Sequence, residues 1–560
     1  MGNIKRFFAS RTGAIICNRY LLFIGVLHLY LLIWRKAGGI PIYSNTFRME
    51  VPILVLLYMA FNKIIKHGKY QPVIAAIPIF VLYTLHDTFY MVFDRIFRLS
   101  NFHELPALFE VAKKTDIVWL TSIFVVPLVF FLWQIDWRGR MRNILIVCGA
   151  LLLLGADIRF YPQSFIAAFD ALNDRVIIWS DMEQAAHNGR FMSMLYKRAH
   201  YQEDLENLDK YLDGSYLKQR DDLANFIARH SNHHNVHMAV LESFLDPTLF
   251  ENLQLSTDAW NPKFRQIFGT DGGNLAVASI FGGGTAQSEF ESLCGVPAYG
   301  RLSSIEFNRL DGKPVECLPG ILNASGYRTA GTHPSKPHMY NRVRAYTSLG
   351  FKEIYFPKEY YSGKTFLSVS MESPLENSLF DGDLYKQLFN FWQGEKRPIF
   401  NYTMTMYGHY PGDIDLAIRP AVITIKGSSN QHLLWAINQF YYRTGALADY
   451  INNLVKRDPK SIIVMVSDHL PPLEGGVNTY KQLGYLGNRE DAEHMNRLFI
   501  IRDGKPMTVP LIHYYDIPAI IYDYLTDGAY CKNYKCAHLG NPQDPAVLQD
   551  NYLHLMAAAL

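Results

Sequence analysis

The sequence predicts an α/β domain with a mainly parallel sheet, preceded by a bundle of about five apolar helices. Three observations predict it. Residues 1–158 are broken into long apolar runs. Residues 231–560 alternate short apolar segments, often β-branched, with helical patterns, the mark of a parallel sheet covered by helices. Between them, residues 159–230 are amphipathic and read as helical linkers.

The apolar runs fall at 14–34, 51–65, 72–93, 117–133 and 143–158. About 20 residues are needed to span a bilayer, and these runs reach or approach that length. No small-residue cleavage site follows the first run, which reads as a retained anchor. With the N-terminus inside, the inner loops carry Lys5, Arg6, Arg11, Lys63, Lys66, Lys69, Arg138, Arg140 and Arg142. The outer loops carry Arg35, Lys36, Arg48, Arg95, Arg98, Lys113 and Lys114, so the balance favours this orientation. An odd number of spans then sets residues 231–560 outside the cytoplasm. His86, Asp87 and Asp94 lie in or beside the third run, where polar groups are costly and are expected to pack against partners. The segment 190–198 mixes basic and apolar residues, as a helix in the headgroup plane does.

A net charge of +3 over 560 residues gives no basic footprint for nucleic acid. Of six cysteines, Cys17 and Cys148 lie in apolar runs. Cys531 with Cys536, and Cys294 with Cys317, can close bridges in an oxidising compartment; four free thiols are the alternative.

In the C-terminal half, strands are expected at 235–241, 275–280, 329–332, 398–406, 461–466 and 497–501, with the clearest helix at 431–456. Ligands of such sheets sit beyond the carboxyl ends of the strands, which turns strand ends into a search list. The first strand ends at Glu242, and the strand at 461–466 runs into Ser467-Asp468-His469. The strand at 398–406 leads to Tyr407-Gly408-His409-Tyr410-Pro411. After the strand at 275–280, Gly282-Gly283-Gly284 turns the chain into a helix that opens with Thr285. A helix N-terminus behind a Gly-rich turn favours an anion, phosphate above all. Two carboxylates and an imidazole suit a divalent cation, manganese or zinc, with magnesium a further candidate. A metal touching Thr285 would lower its hydroxyl pKa and make it a nucleophile.

The order Leu241-Glu242-Ser243, Gly284-Thr285-Ala286-Gln287-Ser288-Glu289-Phe290-Glu291, Gly408-His409-Tyr410-Pro411 and Ser467-Asp468-His469 resembles the lipoteichoic acid synthase and phosphoethanolamine transferase group of the alkaline phosphatase/sulfatase superfamily. The resemblance runs over nearly the whole chain. It implies a five-helix transmembrane bundle with an extracytoplasmic sulfatase-like domain, in a bacterial plasma membrane. It further implies one metal ion held by Glu242, Thr285, Asp468 and His469, with Thr285 as nucleophile and His409 handling a proton on the attacking or leaving oxygen. His333, Tyr340 and Arg342 fall where lipoteichoic acid synthases contact the phosphoglycerol group. Tyr340 replaces the family's usual Trp, and Ser335 stands where an acidic residue is usual. The His230, His233, His234 and His237 run has no counterpart among the family's ligands.

The implied reaction moves a phospholipid headgroup through a covalent Thr285 intermediate. The donor is phosphatidylglycerol or phosphatidylethanolamine, the acceptor a glycan or glycolipid hydroxyl, and no nucleotide takes part. The Glu-Phe-Glu pattern after Thr285 favours phosphoglycerol transfer; phosphoethanolamine transfer by the same route is the alternative. Hydrolysis by a metal-dependent phosphodiesterase is a second alternative, and a non-catalytic lipid-binding membrane protein a third. A sulfatase is disfavoured, because no Cys/Ser-x-Pro-x-Arg context surrounds Thr285.

Overall fold

The structure is a computed structural model. It describes residues 18–559 except 44, 45, 47, 94, 95, 105–113, 174–180, 213, 271, 299–301, 303–305, 316, 359–365, 368–375, 377, 393, 411 and 427–429. Two compact units divide the chain, one of residues 1–105 and 112–206, the other of 106–111 and 207–560.

The first unit is helical. Its elements include α1 (Arg19–Lys36), α2 (Glu50–Ile64) and α3 (Gln71–Phe93). A continuous run follows, α4, made of Lys114–Leu120, a π turn at Thr121–Val125 and Val126–Trp133. Then come α5 (Met141–Phe160), α6 (Pro162–Leu172) and α7 (Arg190–Asn207). The five expected apolar runs are thus helical over their described residues except Asn18 and Ile65, which flank α1 and α2. Two helices among the described residues are long and apolar enough to cross a membrane, Gln71–Val92 and Met141–Phe160, with mean hydropathy 1.5 and 1.8. The 15 residues of α2 rise only about 22 Å, short of a 30 Å hydrocarbon core. Helix α1 carries Arg19, Arg35 and Lys36 within its 18 residues.

A buried ionic node ties α7 to α2 and α3. Arg190 donates from Nε to both Asp87 oxygens at 3.2 Å and from a terminal nitrogen at 2.6 Å. Glu50 accepts the backbone N–H groups of Phe191 at 3.0 Å and Met192 at 2.8 Å, capping the start of α7. Tyr83 donates its hydroxyl to the same carboxylate. Asp87 is therefore packed against a partner, as the cost of a buried charge demands. Arg190 is spent inside the unit and is not free to meet lipid headgroups. Asp94 lies outside the described residues.

The second unit holds one ten-stranded mixed sheet. Its strands are β1 (Val236–Leu241), β2 (Asn274–Val277), β3 (Arg328–Thr332), β4 (Glu353–Pro357), β5 (Phe366–Leu367), β6 (Ile399–Met404), β7 (Ile462–Ser467), β8 (Met495–Arg502), β9 (Lys505–Pro506) and β10 (Ile512–His513). The order is β10-β2-β8-β7-β1-β6-β3-β4-β5, with β9 paired to β8. From β7 to β5 every pairing is parallel; β8 is antiparallel to β7, β2 and β9. Strands β1, β6 and β7 are buried along their whole length, which is why apolar residues dominate them despite His237, Asn401, Thr403 and Ser467.

Helices cover the sheet: α8 (Ser215–His230), α9 (Thr285–Cys294), α10 (Arg342–Leu349), α11 (Asp381–Phe391), α12 (Gln431–Arg457), α13 (Ala529–Asn533) and α14 (Pro545–Ala559) are those used below. Helix α12 starts where Asn430 accepts the Leu433 N–H, and Lys456 and Arg457 complement its carboxyl end. Its buried face meets an aromatic core that includes Trp260, Phe264, Phe440 and Phe499. Disulfides join Cys294 to Cys317 and Cys531 to Cys536.

Candidate active site

Four neighbouring parallel strands, in the order β7-β1-β6-β3, deliver their carboxyl ends to one edge. Leu241 is in register with Ser467, Val240 with Met404, and Thr332 with Thr403. Of the residues beyond these ends, Glu242 after β1 meets Asp468 and His469 after β7. His409 follows β6 and His333 follows β3 at the same edge.

Thr285 arrives from the other side, at the start of α9. Gly282, Gly283 and Gly284 all hold positive φ, at 71°, 152° and 90°. Side chains rarely adopt this backbone, so the turn requires glycine. Gly284 takes the capping position, and Thr285 is the first helical residue. Its hydroxyl is thus released from capping. Two contacts fix α9 against the end of β7: Ser288 Oγ donates to the Asp468 carbonyl at 2.6 Å, and the Gly282 N–H to Leu470 O at 3.2 Å.

Thr285 Oγ1 donates to Asp468 Oδ2 at 2.8 Å, with Glu242 Oε2 at 3.4 Å. His469 Nε2 lies 3.1 Å from Asp468 Oδ2 and 4.0 Å from Glu242 Oε1. Burial, and then the Asp468 charge, push the Glu242 carboxyl above its usual range. Two buried acids at this separation call for a cation. The donor atoms of Glu242, Asp468 and His469 all lie within 4.8 Å of one another. His469 Nδ1 donates to the Leu470 carbonyl at 3.0 Å, which turns an Nε2 lone pair toward the acids. Carboxylate oxygens, one imidazole nitrogen and a hydroxyl fit a single divalent ion. Asp468 Oδ1 is held separately by the N–H groups of Ser243 at 2.7 Å and His469 at 2.6 Å.

Arg443 of α12 braces this edge. It donates to the Glu242 carbonyl at 2.7 Å and to Asp381, at the start of α11, at 2.7 Å. Gly408 shows why its motif needs glycine: φ is 105°, and an added Cβ would lie 2.8 Å from the Arg443 guanidinium.

His409 is half-buried and donates from Nδ1 to the Tyr410 carbonyl at 3.0 Å, leaving Nε2 as an acceptor. Burial lowers its pKa, so it is neutral near pH 7 and able to take a proton. The charges of Asp468 and Arg342 both reach it. His333 is fully buried, and its pKa is held well down by burial and then by Arg342 and His409. Tyr340 sits at φ 52° beneath the Arg342 guanidinium, 5.5 Å from it.

The expectation for Arg342 needs one change. Its guanidinium is only 1% exposed and is already paired with Glu289 of α9, Nε to Oε1 at 3.1 Å, with a terminal nitrogen on the same oxygen. The other Glu289 oxygen accepts the hydroxyls of Tyr346 at 2.6 Å and Tyr402 at 2.9 Å. Burial alone would lower the Arg342 pKa, but Glu289 raises it above the ordinary value. The remaining terminal nitrogen donates to the Met339 carbonyl at 3.4 Å, so the guanidinium is engaged on both sides. Sequence reasoning placed Glu289 only as an early-turn acid. The signal that finds it is spacing: it lies four residues after Thr285, on the same helix face.

Among the described residues, one other group has metal-ligating side chains, Cys531, Cys536 and His538, and its cysteines are closed as a disulfide. His237, from the histidine run, is buried in β1 beside Asn401.

Residues 235–511 match the Sulfatase family model. A Rhizobium meliloti protein, named as a candidate cyclic beta-1,2-glucan modification protein, is 24% identical over 455 residues, 76% of this chain and 66% of that protein. Staphylococcus aureus lipoteichoic acid synthase is 26% identical over 207 residues, 36% of this chain and 30% of the synthase. The alignments thus span under two thirds of either relative's length. Among solved structures, Streptococcus pyogenes phosphoglycerol transferase GacH in complex with sn-glycerol-1-phosphate superposes with a TM-score of 0.47 at 18% identity, over 63% of this chain and 92% of that one. Residues 235–511 thus carry a Sulfatase-family domain, in which Thr285 gathers with Glu242, Asp468 and His469 at one sheet edge, and part of the chain is similar to lipoteichoic acid synthase.

Proposed function

We propose that this chain is a membrane-anchored transferase that moves glycerol phosphate from phosphatidylglycerol to a hydroxyl of a glycan or glycolipid. The observation that carries this reading is the hydrogen bond from Thr285 Oγ1 to Asp468 Oδ2, set at a helix N-terminus beside Glu242 and His469. A threonine hydroxyl at the start of a helix, facing carboxylates, is arranged to lose a proton and meet a phosphate.

The chain's own groups supply two displacements. In the first, Thr285 Oγ1 attacks phosphorus while Asp468 Oδ2 receives its proton. The bond from phosphorus to the diacylglycerol oxygen breaks, and that oxygen takes a proton from water as diacylglycerol leaves. In the second, His409 Nε2 takes the proton of the acceptor hydroxyl and passes it to water, the acceptor oxygen attacks phosphorus, and the bond from phosphorus to Thr285 Oγ1 breaks as Oγ1 takes back its proton from Asp468. The dipole of α9 and the positive charge of the buried Arg342 guanidinium favour the charge on the nonbridging oxygens. A manganese or zinc ion bound by Glu242, Asp468, His469 and Thr285 would supply Lewis-acid activation of the hydroxyl. Two displacements predict ping-pong kinetics.

The five apolar helices serve as the anchor in this reading, with the catalytic domain outside the cytoplasm, because the donor lives in the bilayer. The two disulfides agree with an oxidising compartment. The name of the Rhizobium meliloti relative supports a glycan acceptor.

The test is Thr285→Ala in full-length protein given phosphatidylglycerol with and without a glycan acceptor. Diacylglycerol release and covalent labelling of the chain are both expected to vanish. Retained turnover would remove Thr285 from the role of nucleophile. Wild-type release that does not depend on acceptor would make the enzyme a hydrolase.

A further inference from the structure

Beyond residues 235–511, the second unit carries a feature that the transfer chemistry does not use. A cleft of about 270 Å³ opens between α13, with the two residues that follow it, and the start of α14. One wall offers Tyr530, Asn533, Tyr534 and Lys535; the other offers Gln543 and Asp544, with Val547 below. Tyr530 and Tyr534 are stacked, with centroids 4.5 Å apart and planes 19° off parallel. Tyr530 is buried, whereas Tyr534 is 39% exposed.

This wall is built to keep its shape. Cys531 and Cys536 close the loop that holds Asn533, Tyr534 and Lys535. Asn533 Nδ2 donates to the Ala529 carbonyl at 2.9 Å, which fixes the amide and leaves Oδ1 as an acceptor. The Cys531 N–H is held by Asp523 at 3.1 Å. Phe226 meets the edge of the Tyr534 ring at 5.9 Å. Opposite, Asp544 accepts the Ala546 N–H at 2.8 Å, which sets the start of α14. A cleft fixed before binding loses little conformational freedom on taking a ligand.

Its chemistry narrows the occupant. One ammonium, Lys535, and one carboxylate, Asp544, balance, so the cleft does not select an anion such as phosphate or nucleic acid. Side-chain amides both donate and accept, which matches hydroxyl groups that also do both. Tyrosine provides a rigid, flat apolar platform with little entropy to lose. A ligand that is uncharged, rich in hydroxyls and flat on one apolar face is a neutral hexopyranose. We infer that the Tyr530–Tyr534 cleft binds a neutral glycan, one sugar face stacked on Tyr534 with its hydroxyls met by Asn533, Gln543 and Asp544. This site is distinct from the Thr285 centre and stands whether or not that centre transfers a headgroup.

The experiment is titration of the full-length chain with linear β-1,2- and β-1,3-linked gluco-oligosaccharides, followed by calorimetry. A non-glycosidic detergent keeps sugar out of the micelle. The wild type is expected to bind at least one of them saturably. Tyr534→Ala is expected to weaken that binding about tenfold, and Tyr534→Phe, which keeps the ring, by less than about threefold. Gln543→Ala, on the facing wall, is expected to weaken it severalfold, while Thr285→Ala binds as the wild type does. Unchanged melting temperatures confirm that each variant is folded. The inference is overturned if neither oligosaccharide binds the wild type, or if a folded Tyr534→Ala binds equally well.

Discussion

Substituting Glu289→Gln tests whether the Glu289–Arg342 pair is the hinge between nucleophile and substrate side of the site. The glutamate is fully buried and receives Arg342 on one oxygen and the hydroxyls of Tyr346 and Tyr402 on the other. Glutamine has nearly the same shape. Its oxygen can still accept from Arg342, and its NH2 can donate to tyrosine hydroxyls that rotate to accept. What is lost is the negative charge opposite a buried guanidinium. Removing one partner of such a pair costs about 3–5 kcal/mol, because the remaining charge is uncompensated. Tyr402→Phe removes one hydrogen bond to a charged group and should cost less, roughly 1.5–3 kcal/mol. Urea unfolding of the full chain, read by tryptophan fluorescence, gives both values. Diacylglycerol release on the same samples should fall with Glu289→Gln, because Arg342 is no longer fixed relative to Thr285. A Glu289→Gln variant within about 0.5 kcal/mol of wild type would refute the reasoning, since surface-like substitutions behave that way.

Two further predictions follow from buried acids. Manganese or zinc should stabilise the protein, by about 2.7 kcal/mol at a hundredfold excess over Kd, and EDTA should reverse it. Asp468→Asn should abolish that response while stabilising the metal-free protein, because it removes the charge that raises the Glu242 pKa; thermal unfolding with and without metal reads both effects. At the far end of α9, burial raises the Glu291 carboxyl from 4.5 to about 7, although Oε1 accepts the Ala298 N–H at 3.0 Å. The folded state then binds the proton more tightly, so this group's contribution is full below pH 4.5 and is lost as pH rises through 7. The loss amounts to about 3 kcal/mol, so Glu291→Gln should gain stability over wild type between pH 5 and 8, and equal stability curves would count against it.

The four residues around the candidate metal site were legible because the physics that locates them is local. Glu242 and Asp468 each follow a fully buried, mainly apolar strand, and a parallel strand must hand its next residue to the sheet edge. Thr285 was legible because three successive glycines announce a backbone turn that no side chain would favour. Strand β4, which ends in Pro357, was missed, and β5, β9 and β10 were not legible, since two residues each carry no periodicity. The membrane unit was legible as helices but not as ion pairs. The segment 190–198 read as a headgroup-plane helix because its mixed basic and apolar character is what a sequence shows; the partner of Arg190, Asp87, is 103 residues away.

Arg342 illustrates the same limit at the active site, and the reason is one of distance along the chain. Its position in the motif marked it as a phosphate contact, yet its strongest partner is Glu289, 53 residues earlier, and Tyr402 completes the set from β6. Composition cannot show which of two acids on α9 faces an arginine from α10. Helical spacing can, once Thr285 is taken as the reference. Glu289 lies one turn on and shares the Thr285 face, whereas Glu291 lies off it and meets the Ala298 backbone. One rigid helical turn therefore sets the separation of the nucleophile from the carboxylate that holds the guanidinium. The geometry of the site follows from the pitch of α9 as much as from the sheet edge, so a substitution that kinks this turn, such as Ser288→Pro, should disturb both groups together.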